Sequence, residues 1–154
     1  MFRNKHIIIA LLVTPVLAIV AWFGVGRFAG EQAAPAQPGQ AYPLVEQSNC
    51  RWHSGACDLR NTDFNLRITL SQGAAGPEFD LLASHPLEGV VLAVGPPDAE
   101  PQPAAMRATD GQGLQWRIAL GAKPAEDSRI YIVAKAGGSS YFADAATTFL
   151  RPEE

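Results

Sequence analysis

The strongest constraint in this sequence is an uncharged, mostly apolar segment over residues 7–26, IIIALLVTPVLAIVAWFGVG. An α-helix rises about 1.5 Å per residue, so a helix of this length matches the roughly 30 Å hydrocarbon core of a bilayer. A helix that is apolar on every side is not expected at the surface of a globular domain. The sequence therefore predicts one transmembrane helix over residues 7–27, preceded by a cytoplasmic N-terminus over residues 1–6.

Basic residues set the expected orientation of this helix. Arg3 and Lys5 precede the apolar segment, and Arg27 follows it. Because cytoplasmic flanks carry the excess of Lys and Arg, we expect the rest of the chain on the outer side. The alternative is a cleaved signal peptide, whose apolar core is usually shorter. Both interpretations export the domain, and we expect a single-pass protein of the bacterial inner membrane with a periplasmic C-terminal domain.

The remainder of the chain reads as a linker, one domain and a short tail. Residues 28–42 are rich in Ala, Pro and Gln and predict a linker. Residues 43–150 are enough for one hydrophobic core, with a tail over 151–154. From residue 42 onward there are nine Lys/Arg and 14 Asp/Glu, a net charge of −5. A nucleic-acid partner is therefore not expected.

The domain shows the period-two alternation of apolar and polar residues that is typical of half-buried strands. The clearest cases are residues 64–70, 114–120 and 129–135. Further candidate strands cover residues 79–83, 90–94, 106–109 and 141–149. Turn signals lie at residues 61–63, 73–77, 110–113 and 137–140, and residues 95–103 form a proline-rich loop. The pattern predicts an all-β fold, namely an immunoglobulin-like β-sandwich of about seven strands, with an open barrel as the alternative.

Two cysteines, Cys50 and Cys57, lie close together near the start of the domain. In an oxidising compartment such a pair predicts a disulfide. The alternatives are a metal site, with Cys50, His53 and Cys57 as soft ligands for Cu(I) or Zn²⁺, and a redox-active pair. The spacing matches neither a standard zinc pattern nor C-x-x-C. Trp52, inside the loop, is a candidate for recognition or a cover for the disulfide.

No catalytic motif stands out in the chain. A G-x-S-x-G elbow and a glycine-rich phosphate loop are both missing from the sequence, and no cofactor is predicted. We therefore expect a non-enzymatic module that binds an envelope protein through exposed sheet edges or the proline-rich loop. A metallochaperone-like domain and an enzyme with an unrecognised site are the rival hypotheses.

One outline in the domain resembles a known group of proteins. A Leu-Glu-Gly-Val-Val segment in residues 86–109 leads through the proline-rich loop to Met106. An Asp-Gly turn, a Trp-containing strand and a last strand with Tyr and Phe follow. With its N-terminal apolar segment, this resembles FixH-like and YtkA-like membrane-anchored bacterial proteins, which implies an exported immunoglobulin-like domain and a role in assembling copper-containing respiratory oxidases. The chain departs from metal-handling relatives because its methionines are Met1 and Met106 alone, so no site residue is carried over.

Overall fold

The computed structural model describes residues 5–28 and 37–151. The chain divides into two compact units, Met1–Pro35 and Ala36–Glu154, each of which is described by itself. Most of the expected cytoplasmic segment, linker and C-terminal tail therefore lies outside the described residues.

The first unit contains one helix, α1, which covers Lys5–Phe28 and includes Pro15. The prediction of a helix over the apolar segment is confirmed, and large apolar side chains from Ile8 to Phe23 are exposed along it. Among residues 5–28 and 37–151, however, no helix combines the length and the hydropathy that crossing a membrane requires. The transmembrane span expected over residues 7–27 is thus not found.

The second unit is built from strands. In residues 37–151 there are eleven strands and a short 3-10 helix over Ser48–Arg51. The strands are β1 Ala41–Pro43, β2 Val45–Glu46, β3 Ala56–Asn61, β4 Phe64–Gly73, β5 Gly76–Ala83, β6 Gly89–Gly95, β7 Ala104–Ala105, β8 Arg107–Ala108, β9 Gln115–Ala119, β10 Arg129–Ala136 and β11 Ser139–Ala146.

The strands form two sheets around one hydrophobic core. The five-stranded sheet has the order β1-β11-β10-β6-β7, and the six-stranded sheet has the order β2-β3-β4-β5-β9-β8. Neighbouring strands pair antiparallel, except that β1 runs parallel to β11. The expected all-β sandwich is confirmed, because two sheets pack on a shared core.

The expected strand count and boundaries need correction. Seven of the eleven strands have five or more residues, and one of these, β3, was not predicted. The other four strands contain two or three residues each. Of the predicted strand over 106–109, only Arg107–Ala108 is a strand, β8. β7 precedes it in the other sheet, and the buried Met106 lies between the two. The last strand ends at Ala146, and the next residue, Thr147, donates through its hydroxyl to the Ala125 carbonyl at 2.8 Å.

The folded unit also begins earlier than residue 43. β1 starts at Ala41, and the amide of Gly39 donates to the Gly138 carbonyl at 2.9 Å. The hydroxyl of Ser139 donates to the carbonyl of Gln37 at 2.7 Å. These bonds attach the end of the expected linker to the β10–β11 turn.

The β10–β11 hairpin fixes which residues of its two strands face outward. Its two-residue loop is Gly137-Gly138, with φ values of 56° and 79°. Both angles fall in the left-handed region that a type I′ turn requires and that glycine adopts without steric cost. The turn sets a register in which Val133 faces Phe142.

Two adjacent leucines of β5 differ in burial and allow the contribution of the core to stability to be tested. Leu81 is 1% exposed and Leu82 is 50% exposed, because neighbouring residues of a strand face opposite sides of the sheet. We expect Leu81→Ala to lower the free energy of unfolding by about 2–5 kcal/mol and Leu82→Ala to change it by less than about 1 kcal/mol. Urea denaturation measures both, and equal losses would contradict this orientation of β5.

Candidate functional site

The two cysteines form the expected disulfide. Cys50 lies in the 3-10 helix and Cys57 is the second residue of β3, and their sulfur atoms are 2.07 Å apart. Both residues are fully buried. The loop between them carries the four exposed residues Arg51, Trp52, His53 and Ser54.

The disulfide loop holds the last described residues of the chain. The amide of Gly55 donates to the carbonyl of Phe149 at 2.8 Å, and Nδ1 of His53 donates to the carbonyl of Leu150 at 2.9 Å. Phe149 is fully buried in the core. The loop therefore joins the start of the domain to its C-terminal end, and not only to a neighbouring strand.

The alternative metal site at the loop is not formed in this structure. The sulfurs of Cys50 and Cys57 are bonded to each other and are not thiolates, and Nδ1 of His53 is engaged by the carbonyl of Leu150. Within residues 5–28 and 37–151, no group of three or more His, Cys, Asp or Glu is placed to hold a metal ion. Trp52 is 70% exposed, so it does not serve as the cover of the disulfide.

A polar network fixes the other side of the loop. Asn49 Nδ2 donates to the Asp58 carboxylate at 3.0 Å, and the Asp58 amide donates to Asn49 Oδ1 at 3.1 Å. Arg67 adds two bonds to the same carboxylate, at 2.6 and 2.8 Å. The hydrogen bond from Arg67 is the main cause that holds the pKa of Asp58 below its usual value.

An apolar row crosses the outer face of the five-stranded sheet. Phe142, Val133 and Val91 lie directly opposite one another on β11, β10 and β6. Their exposed fractions are 45%, 45% and 39%. Pro43 of β1 and Ala105 of β7 extend the row to both edges of the sheet. Adjacent side chains of this kind form one continuous surface, and we call these five residues the apolar row.

A groove adjoins the apolar row, between the sheet and the proline-rich loop, with a volume of about 560 Å³. The strands contribute its floor, which consists of Val91, Ala93, Tyr131 and Val133. The loop contributes its wall, which consists of Pro97, Asp98, Ala99, Glu100, Pro101 and Pro103. Ala93 is buried although it faces outward, because the loop covers it. Val91 and Val133 belong both to the groove and to the apolar row.

The loop is held over the sheet at the end of β6. A Cβ atom at Gly95 would lie 2.9 Å from Cβ of Pro101, so only glycine permits this close approach. Four prolines, at positions 96, 97, 101 and 103, fix the backbone φ angle through the loop. The wall of the groove is therefore stiff.

The lining of the groove is mostly apolar. Its polar side chains are Asp98, Glu100 and Tyr131, and it contains no Ser, Cys, His or Lys. A pocket of this kind fits an apolar ligand with a few polar contacts. The sequence predicted the proline-rich loop as a contact surface, which stays a prediction, and did not single out the floor, although the outward positions of residues 129–135 include Tyr131 and Val133.

Comparison with known proteins adds no family to this description. No protein-family model, curated protein or solved structure matches the chain.

The disulfide generates a stability prediction. We expect the Cys50→Ala/Cys57→Ala double variant to lose about 2–3 kcal/mol of unfolding free energy, because the unfolded chain regains the freedom of the open loop. Trp52→Ala is the control and should change stability by less than about 0.5 kcal/mol, since the side chain is mostly exposed. Chemical denaturation measures both. A double variant as stable as the parent would contradict the stapling role.

The Asp58–Arg67 ion pair is expected to make the stability of the domain depend on pH. The pKa of Asp58 is lower in the folded than in the unfolded chain. The stability that the ion pair adds to the folded domain is therefore fully present above the unfolded-state pKa and is lost as the pH falls through the folded-state pKa. We expect Arg67→Gln to cost about 0.5–1 kcal/mol at pH 7 and progressively less below about pH 4. In an Asp58→Asn background the same substitution should show no such pH dependence. A cost that stays constant down to pH 2 would contradict the ion pair.

Proposed function

We propose that this chain is a non-enzymatic interaction module of the bacterial cell envelope, which binds a partner protein through the apolar row and the adjoining groove. The observation that carries the proposal is the apolar row, which runs from one edge of the five-stranded sheet to the other. An antiparallel sheet usually carries polar residues on the face that meets water, and a continuous apolar patch there is typical of an interaction site.

The opposite sheet provides an internal comparison. Its outer face carries ion pairs, with Arg67 on Asp58 at 2.6 Å and Arg117 on Asp80 at 2.5 Å. On the five-stranded sheet the ion pairs, Arg129–Asp144 and Lys135–Glu88, lie on either side of the apolar row. The apolar row has no such pairs along Phe142, Val133 and Val91, so we assign the partner to this side of the domain.

The finer fold assignment is part of the proposal. We infer an immunoglobulin-like arrangement in which β4, β5, β9 and β8 take the places of strands A, B, E and D, and β6, β7, β10 and β11 those of C, C′, F and G. The order of the strands in the two sheets supports this correspondence. β2 and β3 then extend the first sheet beyond its usual edge.

The proposed location is the inner membrane, with the N-terminus in the cytoplasm and the domain in the periplasm. Its support is the uncharged sequence of residues 7–26, which would act as a signal anchor, and the disulfide, which is typical of oxidising compartments. It does not rest on a membrane span found in the structure.

A role in assembling respiratory oxidases is the narrower alternative that the resemblance to FixH-like proteins implies. Its copper-handling version would need ligands other than Cys50 and Cys57 in the form described here, because both sulfurs are bonded. A protein-binding role in assembly requires no metal ligand and agrees with the exposed apolar row.

Site-directed photo-cross-linking of the full chain in cells tests the proposal. A photoreactive benzoylphenylalanine at Val133 is expected to give one defined product with an envelope protein, recovered in the membrane fraction after alkaline carbonate washing. The same residue at Leu82, which is similarly exposed on the other sheet, is the matched control and should give none. Equal labelling from both positions, a product that contains only this chain, or recovery in the soluble fraction would count against the proposal.

A further inference from the structure

We infer that the groove selects a partner segment in which a lysine or arginine lies among apolar residues. This inference rests on the proposed function and specifies the chemistry of the partner. It starts from the charges of the groove. Asp98 and Glu100 are the charged residues of its lining, both are exposed, and in the part of the chain that the structure describes neither forms an ion pair.

The nearest cations on the same sheet face already have carboxylate partners. Arg129, which pairs with Gly95 in the ladder, is bonded through Nε to Asp144 at 2.8 Å. Lys135, two residues beyond Val133, lies 3.8 Å from Glu88. These pairs leave the negative charge of the loop without a compensating cation from this sheet, so a cationic ligand would meet complementary charge.

The hydrogen-bonding groups of the loop also favour a cationic ligand. The four prolines of the loop have no N–H group, and the amide of Ala99 already donates to the carbonyl of Pro96 at 3.2 Å. The wall therefore offers carbonyl and carboxylate acceptors with few donors. Lysine and arginine side chains are pure donors, which suits such a wall, and their bonds to carboxylates are the stronger, charge-assisted kind.

The floor accommodates the rest of the segment. The aliphatic stem of a Lys or Arg can pack on Val91 and Val133 while its charged end reaches the loop, and Tyr131 offers an aromatic ring to the cation. Because the apolar row continues from the groove towards Phe142, apolar residues next to the cation would bury themselves on the same face. The stiff proline-rich wall needs little ordering on binding.

Fluorescence anisotropy with the full-length protein in detergent tests this inference. The probes are three end-blocked pentapeptides, Leu-Val-Xaa-Phe-Val, in which Xaa is Arg, Gln or Glu. At low salt we expect the Arg peptide to bind roughly fivefold tighter than the Gln peptide and more than tenfold tighter than the Glu peptide, with the preference weakening as salt rises.

Charge-neutral variants locate the effect. In Asp98→Asn/Glu100→Gln the three peptides should bind within about twofold of each other, because the selecting carboxylates are gone. Glu126→Gln/Asp127→Asn removes the same charge outside the groove and should keep the full preference. Equal binding of the three peptides, no binding of any of them, or a preference that survives Asp98→Asn/Glu100→Gln would overturn the inference. The cross-linking at Val133 judges the proposed function separately, because it does not depend on which partner residue is selected.

Discussion

The pairing of β10 with β6 and β11 is the constraint on which the rest of the domain depends. Side chains alternate between the two faces of a sheet, so a shift of one residue in this register would exchange the core with the outer surface. In the observed register Ile130, Ile132 and Ala134 are buried, while Tyr131 and Val133 face outward. The same backbone hydrogen bonds that bury the core thus assemble the apolar row and the floor of the groove.

The two sheets differ in the residues that they expose on their outer faces. The six-stranded sheet covers its exposed side with Asp–Arg pairs, which cost little in water and resist association with another sheet. The five-stranded sheet has ion pairs of its own, Arg129–Asp144 and Lys135–Glu88. Between them it leaves Phe142, Val133 and Val91 exposed, with the proline-rich loop beside them. This difference between the two faces is the basis for proposing the five-stranded sheet as the contact side.

Sequence patterns predicted the long strands because their alternation is local. The run over residues 129–135 and the Gly137-Gly138 turn specify the β10–β11 hairpin and its register without any distant contact. β3 was missed although Cys57 and Leu59 alternate with Asp58 and Arg60, because only two buried residues carry the alternation. β1, β2 and β7 were missed because pairing with other strands, and not their own sequence, creates them.

The candidate site was predictable only in part for the same reason. The prolines identified the loop, and the close cysteines identified the disulfide. The position of Val91 beside Val133 depends on a pairing between strands about forty residues apart, which no local pattern encodes. The covering of Ala93 by the loop depends further on the close approach of Pro101 to Gly95.

The hydrogen bonds from the disulfide loop to Phe149 and Leu150 bear on the order in which the domain folds. The first strand pairs with the last one, and the residues near the first cysteine hold the last described residues of the chain. Contacts between such distant positions form late, because the intervening chain must first be ordered. In a chain that is made or transported from its N-terminus onward, these bonds can form only after Phe149 and Leu150 have arrived. The bonds from His53 to Leu150 and from Gly55 to Phe149 are therefore expected to be among the last to form.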